Sequence, residues 1–283
     1  MSAAAADVRE PVAPAPAVVR PRRHWGVIAL GSFAWLVILY SIAPIGVMVA
    51  YSFNQATAGG KLTFSWLGFT TDAYRYVFAI SDLTEALVHS LEVASIATIG
   101  AVFLGTPLAL ALARYRFYGK TLTDLTIFVD IAAPSIVVGA SLLSLFISLN
   151  WPRDLTTIII AHIAFDVAFV AVVVRARIAG LDRSIEKASY DLGAGPWATF
   201  YLVTLPLIWP GIVAGALLAF VLSIDDFIIT NFVAGQTLTF PLWVYGAVKT
   251  GIPPQVFAMG TLVFAGGIVL AGLNALWQRR QPA

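Results

Sequence analysis

The chain has no cysteine and few charged residues, and each shortage excludes a class of protein. Without cysteine there are no disulfides, no thiol catalysis and no metal site built on thiolates. Only 11% of the 283 residues are charged whereas 59% are hydrophobic, which leaves too few polar groups to cover a water-soluble domain of this size. The net charge of +2 is too small to indicate nucleic-acid binding. The composition therefore predicts a membrane protein.

Sequence motifs of enzymes are also missing. The triplet Gly119-Lys120-Thr121 is like the end of a phosphate-binding loop, but Arg114 stands where that loop needs its first glycine. Neither a His-Glu-x-x-His zinc motif nor a Gly-x-Ser-x-Gly nucleophile turn occurs in the chain. We therefore expect this chain to have no catalytic residue, no metal site and no cofactor of its own.

Six apolar segments are long enough to cross a bilayer as helices, which takes about 20 residues each. They cover residues 26–53, 87–113, 122–149, 155–174, 207–229 and 256–277. The internal prolines Pro44, Pro107 and Pro134 are expected to bend these helices, because neighbouring helices in a bundle satisfy the freed backbone groups. The sequence thus predicts an all-α membrane protein with six transmembrane helices.

The distribution of basic residues predicts the orientation. With the amino terminus inside, thirteen lysines and arginines lie on the cytoplasmic side and four on the other, so both termini are predicted to be cytoplasmic. Residues 1–24, rich in alanine and proline, are predicted to be a disordered tail. Residues 25–280 form the predicted transmembrane domain, with a cytoplasmic loop at 176–206, and residues 281–283 form a short C-terminal tail.

Two pairs of ionisable residues lie inside apolar segments. Asp166 is near the middle of the fourth segment, and His162 lies one helical turn before it. This i, i+4 spacing favours a local His/Asp pair, with a proton or cation relay as the alternative. His89 and Glu92 repeat the arrangement in the second segment, and neither pair has the spacing of metal ligands.

The adjacent acids Asp225 and Asp226 lie near the end of the fifth segment. An ionised carboxylate inside a membrane has a free-energy cost of several kcal/mol unless it is paired or hydrated. Such residues therefore tend to face a water-filled cavity or a pairing side chain. Adjacent side chains on a helix point about 100° apart, and both therefore cannot face one direction. We expect one acid to line a path and the other to bond a neighbouring helix, the alternative being that they anchor the helix end.

The cytoplasmic loop contains a predicted amphipathic helix. Its polar positions, among them Asp182, Glu186 and Asp191, alternate with apolar ones at helical spacing up to Gly193. The pair Leu205-Pro206 is expected to turn the chain back into the membrane. Such a helix either transmits a push from a cytoplasmic partner or only anchors the loop at the interface.

This loop and the following residues carry a family resemblance. The motifs are Leu-Asp at 181–182, Glu-Lys-Ala-Ser at 186–189, Asp-Leu-Gly-Ala at 191–194, Thr-Leu-Pro at 204–206, Leu-Ser-Ile-Asp-Asp-Phe at 222–227, Phe-Val-Ala-Gly at 232–235 and Pro-Leu-Trp-Val-Tyr at 241–245. Over residues 181–251 the chain resembles permeases of the spermidine/putrescine branch of ATP-driven (ABC) importers, and weaker similarity covers residues 26–280.

The resemblance implies the transmembrane domain of a type I ABC importer in the bacterial inner membrane, surrounded by lipid. Its partners would be two ATP-binding subunits, a second similar permease and an extracytoplasmic solute-binding protein. ATP would be bound by the partner subunits and not by this chain, and no nucleic acid would take part. The loop helix would then couple to the ATP-binding subunits through Glu186, Lys187, Ala188, Asp191, Leu192, Gly193 and Ala194. The substrate pathway is expected to include Ser135, Asp166, Ser223, Asp225 and Asp226.

Two positions depart from the family pattern. Lys187 stands directly before the alanine where the family usually has glutamate, and Ser135 follows Pro134 where polyamine permeases usually have an acid. A polyamine is therefore the leading prediction for the cargo, and an opine, iron or thiamine is the alternative within related importers. A self-sufficient secondary carrier or channel is the alternative outside them, although the two halves of the chain show no internal repeat.

Overall fold

The computed structural model describes residues 25–57, 59–62 and 65–279, and most of them are helical. The predicted tails at 1–24 and 281–283 lie outside the described residues. The helices are α1 (Trp25–Tyr51), α2 (Asp72–Arg75), α3 (Ser81–Arg114), α4 (Lys120–Ala132), α5 (Ser135–Ser148), α6 (Leu155–Ala179), α7 (Arg183–Asp191), α8 (Pro196–Thr199), α9 (Leu205–Asp225), α10 (Ile228–Val233), α11 (Phe240–Thr250) and α12 (Pro254–Arg279).

Residues 25–47 and residues 48–279 form separate compact units. The first unit is the greater part of α1. This helix is apolar on all sides, and its most apolar stretch has no buried residue. In the second unit, α3, α6 and α9 pack on one another. Their shared core is built around Val170, Val174 and Ile208, which are fully buried. An exposed apolar helix surface is what a lipid environment requires.

Among the described residues, five helices are long and apolar enough to cross a membrane on their own, and a sixth crossing requires two helices bent against each other. The third apolar segment, residues 122–149, is divided at Pro134 into α4 and α5, which meet at an angle of 109°. Ala133 and Pro134 at this bend are extended, with ψ of 133° and 132°. A proline disfavours the helical conformation in the residue before it, so Pro134 makes a break possible at this point.

The fifth apolar helix begins further into the loop than predicted. Helical structure runs without interruption from Pro196 to Asp225 over 30 residues, so Leu205-Pro206 does not turn the chain, and that prediction was wrong. A π-helical turn, Phe200–Thr204, directly precedes this pair. Because a proline inside a helix removes one hydrogen bond and crowds the preceding turn, we attribute the π turn to Pro206.

The stretch after α9 folds back onto the bundle. It contains α10 and α11, and Phe232 and Leu242 pack against a core cluster that includes Val93 and Ile158. Trp243 packs against a second cluster around Ala73 and Met259.

Candidate functional site

The loop between α6 and α8 forms the predicted short amphipathic helix, α7. Asp182 caps its first turn, and its carboxylate accepts a hydrogen bond from the Ser184 backbone nitrogen at 2.9 Å. This backbone hydrogen bond lowers the pKa of Asp182, so the cap is ionised at neutral pH. A negative charge at this end also interacts favourably with the helix dipole.

The other end of α7 is closed by glycine. Gly193 has φ of +86°, and its backbone nitrogen donates to the Tyr190 carbonyl at 2.9 Å while the Ala194 nitrogen donates to the Ser189 carbonyl at 3.0 Å. This pair of bonds is the Schellman motif, which needs a left-handed residue at the position of Gly193. The predicted helix end at Gly193 is therefore confirmed.

The predicted coupling residues divide into two groups. Lys187, Ala188, Asp191, Leu192 and Gly193 are exposed, and Ala194 is partly buried. Leu192 is 89% exposed, which is unusual for a leucine next to a helix end and leaves an apolar side chain available to a partner.

Glu186 faces inward. Its carboxylate lies 3.1 Å from the guanidinium of Arg114, the last residue of α3, and the two side chains are only 20% and 13% exposed. Ser189 makes a second inward contact, with its hydroxyl 2.8 Å from that of Thr199 in α8. These contacts tie α7 to the end of α3 and to the start of the helix that runs through α9.

The Glu186–Arg114 ion pair gives the first testable prediction. Glu186→Gln should lower the thermal unfolding midpoint, since it leaves the largely buried guanidinium of Arg114 unpaired, at a cost of about 1–2 kcal/mol. Arg114→Gln should cost a similar amount, and the double variant should be no less stable than the worse single variant. Additive losses in this double-mutant cycle, measured on the purified protein in detergent, would contradict the proposed pairing.

A second polar cluster lies where α9 ends and α10 begins. The Asp226 carboxylate accepts hydrogen bonds from the Thr230 backbone nitrogen at 2.8 Å and from the Thr230 hydroxyl at 2.9 Å. His162 of α6 approaches the same place, with Nδ1 2.6 Å from the Ser223 hydroxyl and Nε2 2.9 Å from the Thr230 hydroxyl. Nε2 also lies 3.5 Å from the Asp226 carboxylate. One imidazole therefore joins α6 to both sides of the helix break.

The predicted local pairs within α6 and α3 were wrong. His162 bonds Ser223 and Thr230, which are 61 and 68 residues away in the chain, in place of Asp166. His89 Nε2 lies 3.9 Å from the Glu85 carboxylate, Nδ1 donates to the Leu238 carbonyl at 3.0 Å, and His89 does not pair with Glu92. Spacing along a helix shows which side chains are near each other, but partners on other helices compete for the same atoms.

The predicted pathway residues lie in different surroundings. Asp225 is exposed whereas Asp226 is partly buried and bonded, and Ser223 is buried against His162. Ser135 begins α5 immediately after the bend. Asp166 is 1% exposed, and both of its carboxylate oxygens lack a hydrogen-bond partner among the described residues. The sequence did not predict that Asp166 lies near the break after α9, because the two are far apart in the chain and no local pattern relates them.

A family described as "Binding-protein-dependent transport system inner membrane component" matches residues 101–281. The chain belongs to this family. The matched range covers the last 14 residues of α3 and every later helix, including α7 and the polar cluster around His162. The predicted family membership and membrane location are thereby confirmed.

Named relatives cover nearly the whole permease. It is 39% identical over 262 residues to the putrescine transport system permease protein PotI of Escherichia coli K12, covering 90% of both chains. It is 35% identical over 255 residues to the spermidine/putrescine transport system permease protein PotC of the same strain, covering 90% of this chain and 95% of the relative.

Solved structures establish the fold of the permease. A bacterial ABC transporter for import of the acidic polysaccharide alginate matches with a TM-score of 0.65 at 18% identity, over 95% of this chain and 100% of that one. An amino acid ABC transporter matches with a TM-score of 0.58 at 17% identity, over 75% and 100% of the two chains. The predicted fold, that of type I ABC importer permeases, is confirmed.

Proposed function

We propose that this chain is a permease subunit of an ATP-driven importer that carries a polyamine, putrescine or spermidine, across the bacterial inner membrane. The observation that carries the proposal is the similarity over 90% of the chain to permeases named for putrescine and for spermidine/putrescine transport. The acids near the ends of α4 and α9 support a cationic cargo, because a carboxylate attracts an ammonium group strongly at low dielectric.

The energy for transport comes from separate subunits in this proposal. Two ATP-binding subunits hydrolyse ATP and move α7, whose exposed face includes Lys187, Asp191 and Leu192. The excess of lysine and arginine supports an orientation with both termini and α7 in the cytoplasm. A second, similar permease completes the path, and an extracytoplasmic solute-binding protein delivers the cargo from the other side.

The inward contacts of α7 explain how its movement by the ATP-binding subunits changes the substrate pathway. Glu186 ties α7 to the end of α3, and Ser189 ties it to α8 at the start of the helix that runs to Asp225. Since α3 and α9 pack on α6, a displacement of α7 reaches the residues around His162 through packed helices. Discrete rearrangement of such a packed bundle is the physical basis of alternating access.

Reconstitution tests the proposal. Proteoliposomes that contain the permease, its partner permease and the ATP-binding subunits should take up radiolabelled putrescine or spermidine only with ATP inside and the solute-binding protein outside. Uptake by this chain alone, driven by an ion gradient, would overturn the proposal in favour of a secondary carrier. Uptake of an opine, iron or thiamine in place of polyamines would retain the importer and overturn the cargo.

A further inference from the structure

Two of the apolar helices are interrupted, and the interrupted parts meet. One interruption is the bend at Ala133 and Pro134 between α4 and α5, and the other follows Asp225 between α9 and α10. The segments beyond the two interruptions, α5 and α10, pack against each other, with Gly139 of α5 close to Ile229 and Phe232. Transporters commonly build sites from broken helices, because the interruption frees backbone and side-chain groups for a ligand.

Three carboxylates from three different elements converge on this region. Asp130 lies near the end of α4, Asp226 lies at the break after α9, and Asp166 lies in the middle of α6. Ile127, one turn before Asp130, packs in one cluster with Ala168 of α6, and His162, one turn before Asp166, lies 3.5 Å from the Asp226 carboxylate. Carboxylates within membrane helices have a high free-energy cost and are rare, and this chain has few charged residues. Three of them from separate helices at one place therefore indicate a functional site.

The protein supplies little positive charge here. His162 is the one basic side chain that pairs with any of the three acids within the described residues, and it is shared among Asp226, Ser223 and Thr230. No lysine or arginine of residues 25–57, 59–62 and 65–279 forms an ion pair with Asp130, Asp166 or Asp226. Asp166 is 1% exposed, and neither of its carboxylate oxygens has a hydrogen-bond partner in this part of the chain.

The spacing of the acids decides the kind of ligand. Within the described residues no three histidine, aspartate or glutamate side chains lie close enough to hold one metal ion. A small inorganic cation therefore cannot satisfy the three acids together. An elongated organic cation with ammonium groups at separate positions along a carbon chain can reach more than one of them, since each ammonium pairs with one carboxylate.

We propose that Asp130 and Asp166, together with Asp226, form an alkylammonium-binding site between the two broken helices, and that Asp166 contacts the cargo during transport. The inference rests on the proposed function and names the residues that recognise its cargo. Asp166 is closed off from solvent in this structure, so the cargo enters when α6 separates from the interrupted helices. That separation is part of alternating access.

The test compares transport with stability in the complete reconstituted transporter. Asp166→Asn keeps the shape of the side chain and removes its charge. The uptake rate of radiolabelled putrescine should fall by about tenfold or more, because a desolvated charge contact with the cargo is lost. The thermal midpoint should be unchanged or higher, because the buried carboxyl has no partner to lose. Asp130→Asn should lower uptake less, since Asp130 is only partly buried.

A control is available in another acid of a membrane helix. Glu92 in α3 is exposed and lies outside the cluster, so Glu92→Gln should leave the uptake rate unchanged. ATP hydrolysis stimulated by the loaded solute-binding protein should stay within about twofold of the parent in Asp166→Asn, because coupling at α7 is untouched.

Three results would overturn the assignment. If Asp166→Asn lowers the thermal midpoint and uptake together, the residue is structural. If uptake in Asp166→Asn equals that of the parent, Asp166 does not contact the cargo, although the proposed function stands. If the parent transporter carries no polyamine with its own solute-binding protein, the proposed function and this site fail together.

Discussion

Replacing Gly193 should reduce transport. The loss in each variant should depend on how well the new residue tolerates a left-handed backbone and not on the size of its side chain. We expect uptake to decrease from the parent through Gly193→Asn and Gly193→Ala to Gly193→Val, with the valine variant reduced by about tenfold or more. Insertion into the membrane should be the same in all four proteins, since α7 contributes no fully buried residue.

The reason lies in the φ angle of +86° at this position. A left-handed conformation costs a residue other than glycine about 1–2 kcal/mol, less for asparagine and more for a β-branched residue. Apart from its chain neighbours, no atom lies within 4 Å of the point that a β-carbon would occupy at Gly193, so a larger side chain meets no obstacle. The substitution therefore acts by opening the Schellman bonds that end α7, which misplaces the exposed residues Asp191 and Leu192.

Gly195 provides the matched control. It lies two residues further in the same loop, also has open space around it, and has an ordinary φ of −74°. Gly195→Ala and Gly195→Val should therefore retain most of the uptake. The measurements are uptake and ATP hydrolysis in proteoliposomes containing equal amounts of assembled transporter. An order in which asparagine is worse than alanine would indicate a steric contact with a partner and would contradict the conformational explanation.

The elements that could be predicted from sequence are those with local causes. The amphipathic spacing between Asp182 and Gly193 predicted α7 and its end, because capping residues and a left-handed glycine act within one or two turns. The apolar lengths of α1, α6 and α12 predicted three crossings to within a few residues, since bilayer thickness fixes the length of an apolar helix.

The elements that could not be predicted depend on contacts between distant residues. Pro134 loosens a helix, but whether it bends gently or breaks by 109° depends on what packs against α5. In the structure that partner is α10, which contacts α5 from more than 80 residues further along the chain. The pairing of His162 with Ser223 and Thr230 has the same origin, because the break after α9 creates the partners.

The largest effect on folding is expected from Gly235→Ala. Gly235 follows α10, has φ of +62°, and a β-carbon there would overlap the backbone carbonyl of Arg153 just before α6. The left-handed conformation alone costs about 1–2 kcal/mol, and the overlap adds a shift of backbone against backbone. We expect a total loss of about 3–5 kcal/mol, which removes most of the folded protein from the membrane.

The contact at Gly235 holds the end of α10, which carries Thr230 of the polar cluster, against the start of α6. The Thr157 hydroxyl at the start of α6 donates to the Val233 carbonyl at the end of α10 at 2.8 Å, and Gly235 lies against Arg153 beside this bond. A displacement of α10 here moves Thr230 away from His162 and Asp226. Any Gly235→Ala protein that does reach the membrane should therefore have lost transport as well.

Two comparisons separate this explanation from a general intolerance of α10 and α11 to substitution. Gly246 in α11 has an exposed position with no atom within 4 Å of an added β-carbon, so Gly246→Ala should be neutral or stabilising by up to about 1 kcal/mol. Arg153→Ala should not rescue Gly235→Ala, because the overlap is with the backbone oxygen of Arg153, which every residue carries. The readout is the amount of monodisperse protein extracted from membranes, together with its thermal midpoint. Rescue by Arg153→Ala would mean that the side chain causes the conflict, and the packing of α10 against the start of α6 would then be different from that described.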